Sequence, residues 1–468
     1  MLFSSSVFLF AFLPAVLLLY YGPLRGWRGG QNVFLLLASL FFYAFGEPVF
    51  VLVMIGSILL NWLLGLWAGR RLLRGKSARA ALICAVTLDL ALLFVFKYLT
   101  FLMTTLGRMG LQVVIPVIEL PVGISFFTFQ ALSYVVDVAR GRQPAQRSLL
   151  SLGLYISFFP QLIAGPIVQY GTVAAQLSER RESWSLFSSG VCRFLTGLGK
   201  KVLLSNQLAL IADAAFSAGD TLTTALAWLG SLAYTLQIYY DFSGYSDMAI
   251  GLGRMFGFEF LENFDFPYAA TSVTDFWRRW HISLSSWFRD YVYIPLGGNR
   301  VSSRRHTFNL FVVWLLTGIW HGAGWTFPIW GLFYFVLLWG EKHRDWTLEW
   351  PVLFRRVYTL LCVNFAWVVF RAADLTQAVQ YLGSMLGLAP GGVSGGTALW
   401  LGEYGPELIA GVLLAFPLAR WAGRGLYKLR FLRPVWDVGY ALGLLAIFLL
   451  CAAQLVKGSY NPFIYFNF

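Results

Sequence analysis

Charge is what this sequence has least of. Asp, Glu, Lys and Arg together make up 12% of its 468 residues, about half the share of a soluble globular domain. With 58% of residues hydrophobic and 18% aromatic, a water-soluble fold would have too little polar surface to cover its core. Cysteine is scarce as well. Cys84, Cys192, Cys362 and Cys451 stand far apart in apolar segments. No CxxC and no Cys/His ligand spacing occurs, which argues against a disulfide framework and against a zinc site, so no metal is expected. There is no GxSxG elbow, no HExxH and no Walker loop. The chemistries those motifs carry have no anchor here. Repeats of 20–50 residues and low-complexity tracts are missing too, which argues against a solenoid or a disordered scaffold.

Long apolar runs are what the chain does have. Spans of roughly 20 residues are needed to cross a bilayer. The clearest lie at about 5–22, 32–47, 48–68, 80–96, 118–138, 150–172, 186–215, 222–256, 307–322, 325–341, 356–370, 406–420 and 434–456. Some are half-spans or interfacial segments, so roughly 11–13 crossings are expected. The fold class read from this pattern is all-α: a polytopic integral membrane protein with re-entrant and interfacial helices, forming one transmembrane domain over 1–468. Its first partner is the lipid bilayer. No stretch reads as a soluble domain; the longest of mixed polarity is about 257–306. The first run, MLFSSSVFLFAFLPAVLLLYYG, has no charged leader and no small-x-small cleavage site, and reads as a retained span.

Lys plus Arg exceed Asp plus Glu by 35 to 22, a formal +13. The excess lies in short loops between spans, as the positive-inside bias requires, and no nucleic acid is expected as a partner. Counting crossings places Arg25 and Arg28, the run RRLLRGKSAR (70–79), and Arg140, Arg142 and Arg147 on one side. That side is expected to be cytoplasmic and the N-terminus periplasmic. The basic residues at 300–306 and 342–344 are assigned to the same side.

Polar residues within apolar surroundings mark candidate function. His321 lies in LTGIWHGAGWTF (316–327), sixteen residues beyond Arg305. A helix would lift it by roughly 24 Å, most of the ~30 Å hydrocarbon core. An imidazole there suits general-base work on a hydroxyl. Gly318, Gly322 and Gly324 are expected to let a substrate approach the backbone. Trp320 and Trp325 are expected to wall a tunnel. The run DFWRRWHISLSSWFRDYVYIPLGGNR (275–300) reads as one amphipathic helix in the cytoplasmic interface, ending in a turn that holds Asn299. Arg278, Arg279 and His281, with Trp277 and Trp280, would border an entrance and meet donor phosphates; a plain surface anchor is the alternative. Asp241 and Asp247, in YYDFSGYSDMAIG (239–251), are expected to form structural ion pairs with arginines such as Arg278 and Arg279. These readings give a membrane protein with one buried candidate base and a cationic cytosolic mouth; residue chemistry alone does not name a reaction, and a transporter or a passive scaffold stays open.

Three of these stretches resemble a known family. YDFSGYSDMAIG (240–251), DFWRRWHISLSSWFRDYVYIPLGGNR (275–300) and GIWHGAGWTF (318–327) are similar to motifs of the membrane-bound O-acyltransferase (MBOAT) superfamily. The match is best to the branch that O-acetylates bacterial alginate and other exopolysaccharides. MLFSSSVFLFAFLP, PVGISFFTFQALSYVVDVARG (121–141), FPQLIAGPIVQY (159–170) and NPFIYFNF (461–468) look similar too, whereas about 375–435 departs from the pattern. The resemblance implies the MBOAT fold, a catalytic histidine at His321 and the second motif histidine at His281. It implies no bound cofactor, acetyl-CoA as co-substrate, and acetyl transfer across the bacterial inner membrane. The expected partners are a periplasmic SGNH-type acetyltransferase and the exopolysaccharide assembly machinery. Peptidoglycan O-acetylation and teichoic acid D-alanylation stay open beside alginate or cellulose. So does a transporter or flippase, although nothing in the chain repeats 275–327 as an inverted half would.

Overall fold

We describe a computed structural model of the chain, covering all residues except 164, 345–348, 389–395, 419, 422, 424, 426–432, 459 and 465–468. The last four residues of the NPFIYFNF stretch therefore lie outside the described residues. Among those described, regular structure is entirely helical. The major helices are α1 (Leu13–Tyr21), α2 (Arg28–Ala44), α3 (Phe50–Leu73), α4 (Arg79–Leu93), α5 (Ile124–Ala139), α6 (Leu149–Ser157), α7 (Trp184–Gly199), α8 (Asn206–Phe216) and α9 (Thr224–Met255). They continue with α10 (Val273–Arg279), α11 (Ile282–Phe288), α12 (Ser303–His321), α13 (Thr326–Arg344), α14 (Val352–Arg371), α15 (Leu375–Met385), α16 (Gly396–Leu414) and α17 (Arg433–Val456).

Helix is the outcome that hydrocarbon forces, since a backbone N–H or C=O without a partner has no water to turn to. By length and composition, four helical stretches among the described residues suffice to cross a membrane: Phe50–Leu73, Arg79–Arg108, Val352–Arg371 and Arg433–Val456. Phe8–Tyr21 and Ile124–Ala139 are apolar but shorter. Several expected spans are divided or bent. The 150–172 run breaks after Ser157, where Phe158 is extended and Pro160 opens a new turn. The 186–215 run stays helical but widens into a π-segment at Lys200–Ser205, the kind of irregularity that collects at functional positions.

The chain forms two compact units, 1–194 with 248–261, and 195–247 with 262–468, so α9 contributes to both. In the first unit α3 packs against α4 and α5, and α2 against α6. One polar knot holds the first unit's loops. Arg28 reaches Glu182 (2.5 Å), the Tyr20 hydroxyl donates to Glu182 (2.6 Å), and Arg180 donates to Tyr20 and to the Phe256 carbonyl. Gln161 is buried in this unit and donates to the Tyr155 carbonyl at 2.5 Å.

In the second unit α12 and α13 pack tightly as an antiparallel pair. Its glycines explain why. A Cβ on Gly318 would sit 2.4 Å from the Phe327 carbonyl oxygen, one on Gly322 2.1 Å from the Phe327 ring, and one on Gly331 2.3 Å from the Trp314 carbonyl oxygen. Small residues let two helix backbones approach, as membrane helix pairs require. The expectation that Gly318 and Gly322 clear room for a substrate is therefore corrected: the room is already filled by the neighbouring helix.

Candidate functional site

Both candidate histidines belong to the second unit. His321 is the last residue of α12 and is 3% exposed. Three buried rings stand edge-on to it: Trp320 at 5.0 Å, Trp330 of α13 at 5.0 Å and Phe370 of α14 at 5.2 Å.

His281 is reached by a different route. The 275–300 run is not one helix. It breaks into α10 and α11, because His281 takes a left-handed backbone (φ 45°, ψ 54°) between them. Such a conformation costs a non-glycine residue on the order of 1–3 kcal/mol and persists only where its surroundings enforce it. Here they do. The Ile282 N–H donates to the Asn263 carbonyl (3.0 Å), the Ser283 N–H to Asn263 Oδ1 (3.1 Å), and the Ser285 N–H to the His281 carbonyl (3.1 Å). The turn buries the His281 ring completely, against Phe242 (4.6 Å, edge-on) and Trp320 (6.1 Å). Trp320 thus touches both histidines. Burial pushes the His281 imidazole down to about 3, so it stays neutral at any ordinary pH.

The start of α10 is pinned as firmly. Ser272 caps it through the Asp275 N–H at 2.9 Å. Glu341, near the end of α13, accepts from the Val273 N–H (2.7 Å), the Thr274 N–H (2.8 Å) and the Thr274 hydroxyl (2.6 Å). Helix-start N–H groups need such acceptors. One carboxylate therefore ties the segment that leads to His281 onto the helix that packs beside His321. Sequence reading passed over Glu341 and Asn263. The only cue for either was a polar side chain flanking an aromatic run.

Other expected site residues are placed differently. Trp277 packs against Trp314, Trp330 and Tyr334, and Trp280 against Phe264, Phe276 and Trp367. Both are buried, so these indoles build the aromatic core and do not border an exposed mouth. Arg278 is exposed, while Arg279 is spent on Asp275 at 2.9 Å. Asn299 is exposed in the turn after Leu296, and Trp325 is 55% exposed. Gly322 is buried, and its N–H donates to the Ile319 carbonyl at 3.3 Å.

The ion-pair expectation is corrected in its partners. Asp241 pairs with Lys201, both 1% exposed, and Asp247 pairs with Lys200 at 2.7 Å. Neither aspartate pairs with Arg278 or Arg279. The lysines come from the π-segment beside α9, which brings them to the aspartates first. The buried pair also ties down the segment at 462–464: Lys201 donates to the Pro462 carbonyl, and the Ile464 N–H donates to Asp241 at 3.0 Å. Among the described residues, no group of three or more His, Cys, Asp and Glu is arranged to hold a metal ion.

This geometry, two histidines beside one tryptophan in a helical scaffold, can be set beside the proteins the chain is similar to. The model of the MBOAT, membrane-bound O-acyltransferase family, matches residues 81–376.

The chain belongs to the membrane-bound O-acyltransferase family.

Both histidines lie inside the matched region. The chain is 41% identical to "Probable alginate O-acetylase AlgI" of Pseudomonas putida, over 100% of both chains. It is 46% identical to the protein of that name from Pseudomonas aeruginosa, over 81% of this chain and 73% of the relative. It is 36% identical to the "Peptidoglycan O-acetyltransferase" of Helicobacter pylori, over 83% and 80%. This MBOAT chain is accordingly an all-α, multi-pass membrane protein and an acyltransferase.

Proposed function

We propose that the protein moves an acetyl group from acetyl-CoA in the cytosol to an acceptor on the periplasmic side, for O-acetylation of an exopolysaccharide such as alginate. The observation that carries this reading is the enclosure of His321 by Trp320, Trp330 and Phe370, at the end of a helix whose start carries Arg304 and Arg305. A basic, exposed start and a shielded imidazole at the other end of one helix support the reading.

In the proposed step His321 takes the proton of the acceptor hydroxyl as its oxygen attacks the thioester carbonyl carbon. The carbon–sulfur bond breaks, the thiolate of CoA leaves, and the proton passes from His321 to that sulfur. Shielding from water suppresses hydrolysis of the thioester. The basic loops, including Arg278, are the surfaces for the donor's phosphates. The acceptor is served by a periplasmic SGNH-type partner. The protein resides in the bacterial inner membrane with its N-terminus outside.

The test is reconstitution. Protein in sealed vesicles is given labelled acetyl-CoA on the basic-loop side and a hydroxyl acceptor on the other. Label on the acceptor supports the reading; label that stays on CoA with wild-type protein contradicts it. The Helicobacter pylori relative favours one second reading, peptidoglycan as the polymer, and comparing peptidoglycan with alginate acetylation in cells separates the two. Label transfer from a carrier-protein D-alanyl thioester would instead favour teichoic acid D-alanylation.

A further inference from the structure

We infer that Asn263 is a positioning residue that locks His281 as the Nδ1–H tautomer, leaving Nε2 as a buried hydrogen-bond acceptor for a substrate O–H or N–H; this rests on the acyl-transfer reading.

One amide oxygen holds the site together. Asn263 is completely buried. Its Oδ1 lies 3.1 Å from the Ser283 backbone nitrogen, 2.9 Å from the Ser283 hydroxyl and 3.2 Å from His281 Nδ1. A backbone N–H can only donate, so the Asn263 atom facing it is oxygen and not the amide nitrogen. An amide oxygen can only accept, and the Ser283 hydroxyl, 3.4 Å from His281 Nδ1, spends its one proton on that oxygen at the shorter 2.9 Å, so the proton that fills the 3.2 Å contact is carried by His281 Nδ1. In a neutral imidazole the other nitrogen is then a bare acceptor. His281 Nε2 is buried, with no hydrogen-bond partner among the described residues. Phe242 and Trp320 flank the ring.

A buried acceptor left open costs free energy. The fold accepts that cost together with a left-handed backbone at the same residue. Both follow from Asn263, whose carbonyl and side chain hold the turn and the ring together. The arrangement is the one by which an orienting acceptor fixes a histidine's tautomer in acid–base sites, with a neutral amide in place of a carboxylate. His281 thus offers a lone pair, and a substrate hydroxyl or amide N–H is the chemistry that fits it.

The chain has four histidines, so nitrogen-15 histidine labelling of the full-length protein in lipid vesicles gives a spectrum of four imidazoles. The signal lost in His281→Gln identifies His281. The expected result is a protonated Nδ1 and a bare Nε2 in the resting wild type, without any acyl donor. A protonated Nε2 at His281 overturns the inference. Asn263→Leu is expected to lose the single tautomer and to lower acyl transfer on the order of 10²-fold, the low end for a group that handles a proton. Asn263→Asp keeps an oxygen at the same place and is expected to restore both. Asn263→Leu with a wild-type spectrum and rate overturns the inference as well. Because the tautomer is read without turnover, an Nδ1–H signal in a protein that transfers no acyl group would retain the positioning role and sink the functional reading.

Discussion

The imidazole of His321 stands edge-on to the indole of Trp330, with centroids 5.0 Å apart and planes at 81°. Each ring comes from one arm of the α12–α13 hairpin. The position of His321 therefore depends on how closely those two helices approach.

That dependence can be measured at the glycines. Gly318→Val puts a Cβ where the Phe327 carbonyl lies 2.4 Å away, and overpacking of this kind costs about 1–3 kcal/mol. Both the thermal midpoint in detergent and the acyl-transfer rate should fall. A Cβ on Gly324 meets nothing nearer than 3.6 Å, so Gly324→Ala should stay within about 0.5 kcal/mol of wild type. Equal effects at the two positions would remove close approach as the explanation.

Glu341 should couple stability and turnover. Glu341→Ala leaves the buried Val273 N–H without its 2.7 Å acceptor, a loss of about 1–3 kcal/mol. Since α10 leads directly to His281, activity should drop in the same variant, while Glu341→Gln, which keeps an oxygen, should retain part of both. Melting curves and initial rates on the same preparations decide the matter.

Removing one member of the Lys201–Asp241 pair strands a charge that is 1% exposed. Asp241→Asn should destabilise by about 3–5 kcal/mol, and the double change Lys201→Met with Asp241→Asn should recover part of that. Chemical denaturation of the single and double variants gives the comparison. A double variant as unstable as the sum of the singles would show that the pair is not the unit.

Acid should loosen the first unit through Glu182. Burial alone would raise this carboxyl, but hydrogen bonds from Arg28 and Tyr20, a backbone hydrogen bond and the Arg28 charge outweigh it and hold it at about 2. A carboxyl depressed in the folded state adds stability that is complete above its ordinary value of 4.5. That stability is lost as pH falls toward 2. The difference in thermal midpoint between wild type and Glu182→Gln should be largest near neutral pH and shrink below pH ~4.5. A difference that does not change with pH would contradict it.

The all-α membrane fold was legible because hydropathy is a sum over many residues, and no single contact decides it. The site was legible at the level of which segments matter, and less so in detail. A left-handed turn at His281 leaves no mark on helical periodicity, since the residue is not glycine and its neighbours read as amphipathic. The pairing of Asp241 with Lys201, and not with Arg278 or Arg279, depends on which helix lies beside α9, which no local pattern states. Trp277 and Trp280 recur at helical spacing, and that spacing fits a packed core as well as a binding face. Gly318 and Gly322 carried a signal of close approach, but the approaching group is Phe327 of the next helix. Asn263 was invisible because its importance comes from one oxygen shared among His281 and Ser283.

The proposed role of His321 as the base of an acetyl transfer is read most directly in the O-acetyl content of the cell's exopolysaccharide. Wild type is compared with His321→Ala at equal abundance in the membrane. Polymer yield is expected to stay unchanged while acetate falls by ~10²-fold or more. Acetate at the wild-type level in a well-folded His321→Ala protein would contradict it.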